Sequence, residues 1–110
     1  IRDRLRSRGL GDVYKRQSGN SMVPKINNGD RILVEPYMGK ALKPGNIIVY
    51  RKFSDHLTVH RVTNIVRLSK SRFYCETKGD NNIEADSYKV FNHEIIGTVN
   101  LEGVNKNEHD

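Results

Sequence analysis

The sequence predicts a mainly β domain, built as one compact unit from curled antiparallel sheets. Two observations lead to this fold class. Short apolar runs are rich in β-branched residues, and Gly, Pro and Asn turn signals separate them. A third observation is the near absence of the 3.6-residue apolar period of amphipathic helices. The length of 110 residues suits one domain with a small core.

Five runs are predicted to be strands, each bounded by turn residues or polar breaks. Pro44-Gly45 favours a tight turn, and the run after it is apolar enough to be buried on both faces. Alternation along the next run puts Thr58, His60 and Val62 on one face of the sheet. The predicted strands are residues 31–35, 46–51, 57–62, 71–77 and 94–101.

Basic residues are concentrated at the start of the chain. Residues 1–17 hold six basic and two acidic side chains, whereas residues 18–110 hold 13 and 11. The net charge of +6 is therefore not a basic surface of the domain, and we expect no nucleic-acid partner. Because the end of the first segment, DVYKRQ, resembles translated adapter sequence, we expect residues 1–17 to be a non-native or disordered leader. The β domain is then residues 18–101, and residues 102–110 are expected to be a flexible tail.

Cys75 is the single cysteine, so the chain has no internal disulfide. Its apolar strand setting predicts a small buried hydrophobic side chain and not a reactive thiol. No apolar run approaches the roughly 18 residues that a membrane-spanning helix requires. If residues 1–17 are foreign, however, the sequence that they replaced had room for a native membrane anchor.

The segment SGNSMVP at residues 18–24 places a serine hydroxyl between flexible Gly-Asn and a Met-x-Pro sequence. A serine nucleophile needs a neighbouring base. Two of the four histidines, His93 and His109, lie in a polar turn and in the expected tail. His56 lies in a loop, where precise aiming is difficult, so the strand residue His60 is the best-placed base.

A histidine base works best when a carboxylate fixes its tautomer and stabilises the imidazolium. The polar loop KGDNNIEAD at residues 78–86 offers Asp80, Glu84 and Asp86 for this role. A solvated loop whose side chains bond their own backbone is the simpler alternative.

The same loop carries oxygen ligands at alternate positions, as calcium-binding loops do. Ala85 stands where the tight-turn glycine of such a loop belongs, and Phe91 stands where its bidentate acid belongs. We therefore predict neither a metal nor another cofactor.

Five motifs, which together span residues 18–99, occur in the order found in one known family: SGNSMVP, GDRILVE, VHRV, TKGDNNIEAD and IIGTV. Together they resemble the signal peptidases I of the archaeal and endoplasmic-reticulum type. The serine motif is shared with self-cleaving repressors. Those repressors and bacterial signal peptidases have lysine where this chain has His60. The resemblance implies the β fold common to signal peptidases and self-cleaving repressors.

Carried over by position, the resemblance implies a catalytic triad. Ser21 matches the nucleophile, His60 matches the general base, and Asp86 matches the acid that would orient His60. Asp80 matches a second acid that would support the loop, and Met22 matches a residue that shapes the substrate pocket.

The implied function is removal of signal peptides from exported precursor proteins by a serine endopeptidase. The resemblance further implies attachment to the cell membrane through the missing N-terminal anchor, with the catalytic domain on the extracytoplasmic face. One alternative is a soluble cytoplasmic peptidase that trims the leader of a precursor peptide. Another is a regulatory domain of the self-cleaving repressor type.

Overall fold

This computed structural model describes residues 6–8, 12–37, 41–53 and 56–105. The described residues include eight antiparallel strands and one 3-10 turn. All the strands belong to one sheet with the order β1-β2-β3-β8-β4-β5-β6-β7. The predicted fold class is therefore confirmed. The strands are β1 Arg6–Arg8, β2 Asp12–Arg16, β3 Arg31–Pro36, β4 Ile47–Tyr50, β5 Thr58–Arg67, β6 Phe73–Lys78, β7 Val90–Phe91 and β8 Ile95–Asn105, and the 3-10 turn is Asn92–Glu94.

The central strand β4 is buried on both faces, as its uninterrupted apolar sequence predicts. Ile47 and Val49 join one hydrophobic cluster, whereas Ile48 and Tyr50 join a second cluster on the opposite face. The curled sheet therefore has a small hydrophobic core on each face, and β4 contributes side chains to both cores.

Strand β5 places His60 on the same face as the second cluster. His60 lies directly opposite Ile48 of β4, and Val62 is buried in that cluster two residues later. The alternation predicted for residues 57–62 is observed. The strand continues to Arg67, and its register with β6 shifts between Val62 and Asn64.

Strand β2 lies within the segment for which the sequence predicts a non-native or disordered leader. It pairs with β3 from Val13↔Val34 to Arg16↔Arg31. The backbone groups of these residues are satisfied by the edge of β3. Whether residues 1–17 are a non-native or disordered leader stays a prediction.

The last strand also differs from its predicted end. β8 extends to Asn105, where that residue pairs with Arg31. The expected flexible tail at residues 102–110 therefore begins inside a strand. Residues 106–110 lie outside the described part of the chain.

Candidate active site

The Ser21 loop connects β2 to β3 and is closed at its base by backbone hydrogen bonds. The Gln17 N–H donates to the Asp30 carbonyl at 2.7 Å, and the Gly29 N–H donates to the Gln17 carbonyl at 2.8 Å. Gly19 has φ +93°, a conformation that glycine adopts readily. The loop is thus a defined excursion from the sheet, with Ser21 half-buried near its middle.

The segment after β6 holds the Ser21 loop from the other side. The Asn81 backbone N–H donates to the Ser21 carbonyl at 2.7 Å, and the Asn81 side chain donates to the Asn20 carbonyl at 3.1 Å. Gly79 lies against Ser21. These contacts join two motifs that are about 60 residues apart in the sequence.

Met22 anchors the serine loop in the core. Its side chain is fully buried in the cluster with Ile26 and Val59, and the Asp80 backbone N–H donates to its sulfur at 3.4 Å. The polarizable thioether suits this irregular gap between loop and sheet. The observed role of Met22 is packing, and its role in a substrate pocket stays a prediction.

His60 and Asp86 form the shortest side-chain contact in this region. Nδ1 of His60 and Oδ2 of Asp86 are 2.6 Å apart, and both side chains are about nine-tenths buried. An ionised carboxylate can only accept, so Nδ1 carries the ring proton and donates a hydrogen bond to Asp86. The Nε2 atom is then left as the acceptor that a general base needs.

Asp86 is itself fixed by strand β6. The Thr77 hydroxyl donates to Asp86 Oδ2 at 2.7 Å, and the Asp86 backbone N–H donates to the Thr77 carbonyl at 2.9 Å. Thr77 is fully buried. Because these bonds hold both the backbone and the carboxylate of Asp86, its orientation toward His60 is set by the sheet.

Tyr50 and Tyr88, which the sequence motifs do not indicate, complete the cluster. The Tyr50 hydroxyl lies 2.7 Å from the Tyr88 hydroxyl, 3.3 Å from Asp86 Oδ2 and 3.4 Å from His60 Nδ1. Burial raises the pKa of both tyrosines, most strongly that of Tyr50, so both hydroxyls keep their protons. A tyrosine that ends an apolar strand looks like core in the sequence, and only its contacts reveal this placement.

Asp80 pairs with Arg61. Arg61 donates from Nε to Oδ1 and from Nη2 to Oδ2, each at 2.8 Å, and from Nη1 to the Gly45 carbonyl at 2.7 Å. The hydrogen bonds from Arg61 lower the pKa of the Asp80 carboxyl, helped by the charges of Lys78 and Lys25, whereas burial opposes them. The same pairing raises the pKa of Arg61. Asp80 thus ties the loop after β6 to the residue that follows His60.

The three predicted triad residues share one supporting segment, residues 77–86. Ser21 contacts it through Gly79 and Asn81, and His60 contacts it through Asp86. Within the described residues, no hydrogen bond joins Ser21 to His60. Nucleophile and base are often separated in unliganded enzymes and come together when substrate binds.

The other described histidines, His56 and His93, lie outside this cluster. His56 is exposed in the loop before β5, and the exposed His93 stacks on the Phe91 ring at a centroid distance of 6.1 Å. His109 lies outside the described part of the chain. Among the described residues, no group of three or more His, Cys, Asp or Glu side chains is arranged to hold a metal ion.

A model of the Peptidase S24-like family matches residues 3–100. The chain belongs to this family. Signal peptidase I W of Bacillus subtilis (strain 168) is 33% identical over 82 residues, which are 74% of this chain and 43% of that protein. The chain thus spans less than half the length of this relative. No solved structure was found to match this chain.

These similarities confirm the assignment to the signal peptidase I family that the motifs predict. The family match also includes most of the segment expected to be a leader. The finer archaeal and endoplasmic-reticulum type rests on His60 and TKGDNN, and it stays a prediction. No helix within the described ranges is long and apolar enough to cross a bilayer.

Proposed function

We propose that this chain is the catalytic domain of a serine endopeptidase that removes signal peptides from exported precursor proteins. The observation that carries the proposal is the 2.6 Å contact between His60 Nδ1 and Asp86 Oδ2. A buried carboxylate on this nitrogen prepares the opposite ring nitrogen to act as a base. The membership in the Peptidase S24-like family and the similarity to Signal peptidase I W favour a serine as the group that this base activates.

The proposed reaction begins when Ser21 Oγ attacks the carbonyl carbon of the scissile peptide bond. The hydroxyl proton passes to His60 Nε2 as the new C–O bond forms. The Ser21 backbone N–H is the first candidate donor to the developing oxyanion. The C–N bond then breaks, and the leaving amine takes the proton from His60.

Water completes the cycle by attacking the acyl-enzyme ester. His60 takes a proton from this water and returns a proton to Ser21 Oγ as the ester bond breaks. Asp86 stays ionised and stabilises the imidazolium in both halves of the reaction. Asp80 supports the loop through Arg61, and Met22 shapes the substrate pocket from its buried position.

The proposal includes attachment to the cell membrane by a segment outside this sequence, with the domain on the extracytoplasmic face. The relative named Signal peptidase I W extends well beyond the matched region, which leaves length for such a segment. Recovering the native upstream sequence tests this part: about 20 consecutive apolar residues would support it, and their absence would favour a soluble leader peptidase.

Cleavage of a synthetic signal-peptide substrate by the 110-residue chain tests the proposed chemistry. Ser21→Ala and His60→Ala are each expected to remove nearly all activity, because triad members act as a unit. Ser18→Ala and His93→Ala are the matched controls, since each removes an exposed residue of the same type, and both should retain wild-type rates. Substantial activity in either triad variant would overturn the mechanism.

Self-processing of the repressor type is a second candidate function. The chain belongs to the Peptidase S24-like family, which includes self-cleaving repressors. It requires a cleavable site within the chain itself. Incubation of the purified chain alone, followed by mass measurement, separates the two functions. Spontaneous cleavage that Ser21→Ala abolishes would favour self-processing, whereas an intact chain that cuts the synthetic substrate supports the peptidase.

A further inference from the structure

Tyr50 ends β4 with a hydroxyl to which the proposed reaction assigns no role. The side chain is fully buried, and its ring meets the His60 ring edge-on at a centroid distance of 6.3 Å and an interplanar angle of 76°. Its oxygen lies 3.3 Å from Asp86 Oδ2 and 3.4 Å from His60 Nδ1. Tyr50 therefore contacts both members of the histidine–aspartate pair.

The Tyr50 hydroxyl can donate a hydrogen bond to Asp86 while it accepts one from Tyr88. Tyr88 lies 2.7 Å from the Tyr50 oxygen and can donate its own proton to it. When Tyr88 is the donor in this contact, the Tyr50 proton points at Asp86 Oδ2, because His60 Nδ1 is itself a donor. The resulting chain runs from Tyr88 through Tyr50 to the carboxylate, and burial keeps the Tyr50 hydroxyl protonated.

Two hydroxyls and one imidazole nitrogen donate to the Asp86 carboxylate. Within the described residues, no Lys or Arg forms an ion pair with Asp86, whereas Asp80 in the same loop has Arg61. The Thr77 and Tyr50 hydroxyls and His60 Nδ1 all converge on one oxygen, Asp86 Oδ2. Three donors on one oxygen fix the position of the carboxylate more firmly than one donor could.

We propose that Tyr50 is a positioning residue for peptide-bond hydrolysis, which acts by holding Asp86 Oδ2 and the His60 ring in their mutual orientation. The role in hydrolysis rests on the proposed function. Tyr88 supports it by orienting the Tyr50 hydroxyl. Because Tyr50 is buried behind the pair, it contributes to the rate of the chemical steps and not to substrate binding.

Tyr50→Phe removes the hydroxyl and keeps the ring, so it is the test variant. We expect kcat to fall about tenfold, the scale of losing one neutral hydrogen bond, with KM changed less than about twofold. Tyr74→Phe is the matched control, since Tyr74 is a partly buried tyrosine on β6, the strand that pairs with β5, and its ring packs against Phe91. Wild-type kcat in Tyr50→Phe would overturn the proposal.

The NMR resonance of the proton on His60 Nδ1 provides a readout that does not depend on activity. We expect it to shift in Tyr50→Phe and to stay unchanged in Tyr74→Phe. If the wild-type chain cuts no peptide, the proposed function fails, and this resonance alone still decides whether Tyr50 positions the pair: an unchanged resonance refutes it. If Tyr50→Phe does not fold, Tyr88→Phe decides, with a smaller shift expected in the same direction and no shift counting against the proposal.

Discussion

Gly79 lies so close to Ser21 that residue 79 has no room for a side chain. A Cβ atom on Gly79 would lie 2.9 Å from the Ser21 carbonyl oxygen, 3.0 Å from Ser21 Cβ and 2.7 Å from the Asn82 side-chain nitrogen. Cβ atoms essentially never approach other atoms more closely than 3.0 Å. The loop after β6 and the serine loop therefore fit together only because residue 79 is glycine.

Gly79→Ala is expected to displace Ser21 and to reduce both stability and activity. Overpacking of this kind typically costs about 1–3 kcal/mol, and a small misplacement of a nucleophile can reduce the rate about a hundredfold. Urea unfolding gives the first quantity, and cleavage of the synthetic substrate gives the second. Ser87→Ala, an exposed change in the same region, is the control; equal behaviour of the two variants would contradict the close fit.

Asp80→Asn is expected to lower the free energy of unfolding by about 1–2 kcal/mol at pH 7. The substitution removes the negative charge from a mostly buried side chain and so weakens its pairing with Arg61. The pKa of Asp80 is lowered in the folded state, so its contribution is complete above the unfolded value near 4. That contribution disappears as the pH falls through the folded value. The difference between variant and wild type should therefore be largest near neutrality and shrink below about pH 4.

Urea unfolding at pH 7 and pH 3 measures this dependence. Glu84→Gln is the matched control, since Glu84 is an exposed acid in the same loop. The pairing would be of no consequence for stability if Asp80→Asn and Glu84→Gln unfolded at the same urea concentration at pH 7.

Cys75 is expected to resist alkylation in the folded protein. It is fully buried in the second cluster, and burial raises its pKa to about 11. At pH 8 only about one thiol in a thousand is then ionised, and the thiolate is the reactive form. Mass measurement after iodoacetamide treatment should show little labelling in buffer and complete labelling in urea. Rapid labelling of the native chain would contradict the observed burial.

The proposed function predicts that cleavage of the synthetic signal-peptide substrate becomes faster with rising pH across the neutral range. Histidine side chains generally lose their proton between about pH 5 and 8, and a base must be unprotonated to accept the serine proton. A lysine base has an unperturbed pKa near 10.4 and needs strong desolvation to act at neutral pH. A profile of kcat/KM that rises only above about pH 9 would exclude His60 as the base.

Local patterns in the sequence were sufficient for most of the sheet. β-branched runs and turn residues predict β3, β4, β5, β6 and the first part of β8 within a few residues. They did not predict β2, because its basic residues resemble a leader and its pairing with β3 is a long-range contact. The two-residue strand β7 is too short to leave an alternating pattern.

The sequence by itself determined the fold class, the family motifs and the residue types of the candidate triad, since these depend on local composition and order. The tertiary structure decided which acid lies beside His60, because Asp80 and Asp86 are the same residue type and only six residues apart in the sequence. Asp80 forms an ion pair with Arg61, whereas Asp86 accepts hydrogen bonds from His60 and Thr77. The tertiary structure likewise placed Gly79 against Ser21 and the Tyr50 hydroxyl against Asp86. The sequence could not show these contacts, because each joins segments that are distant in the chain.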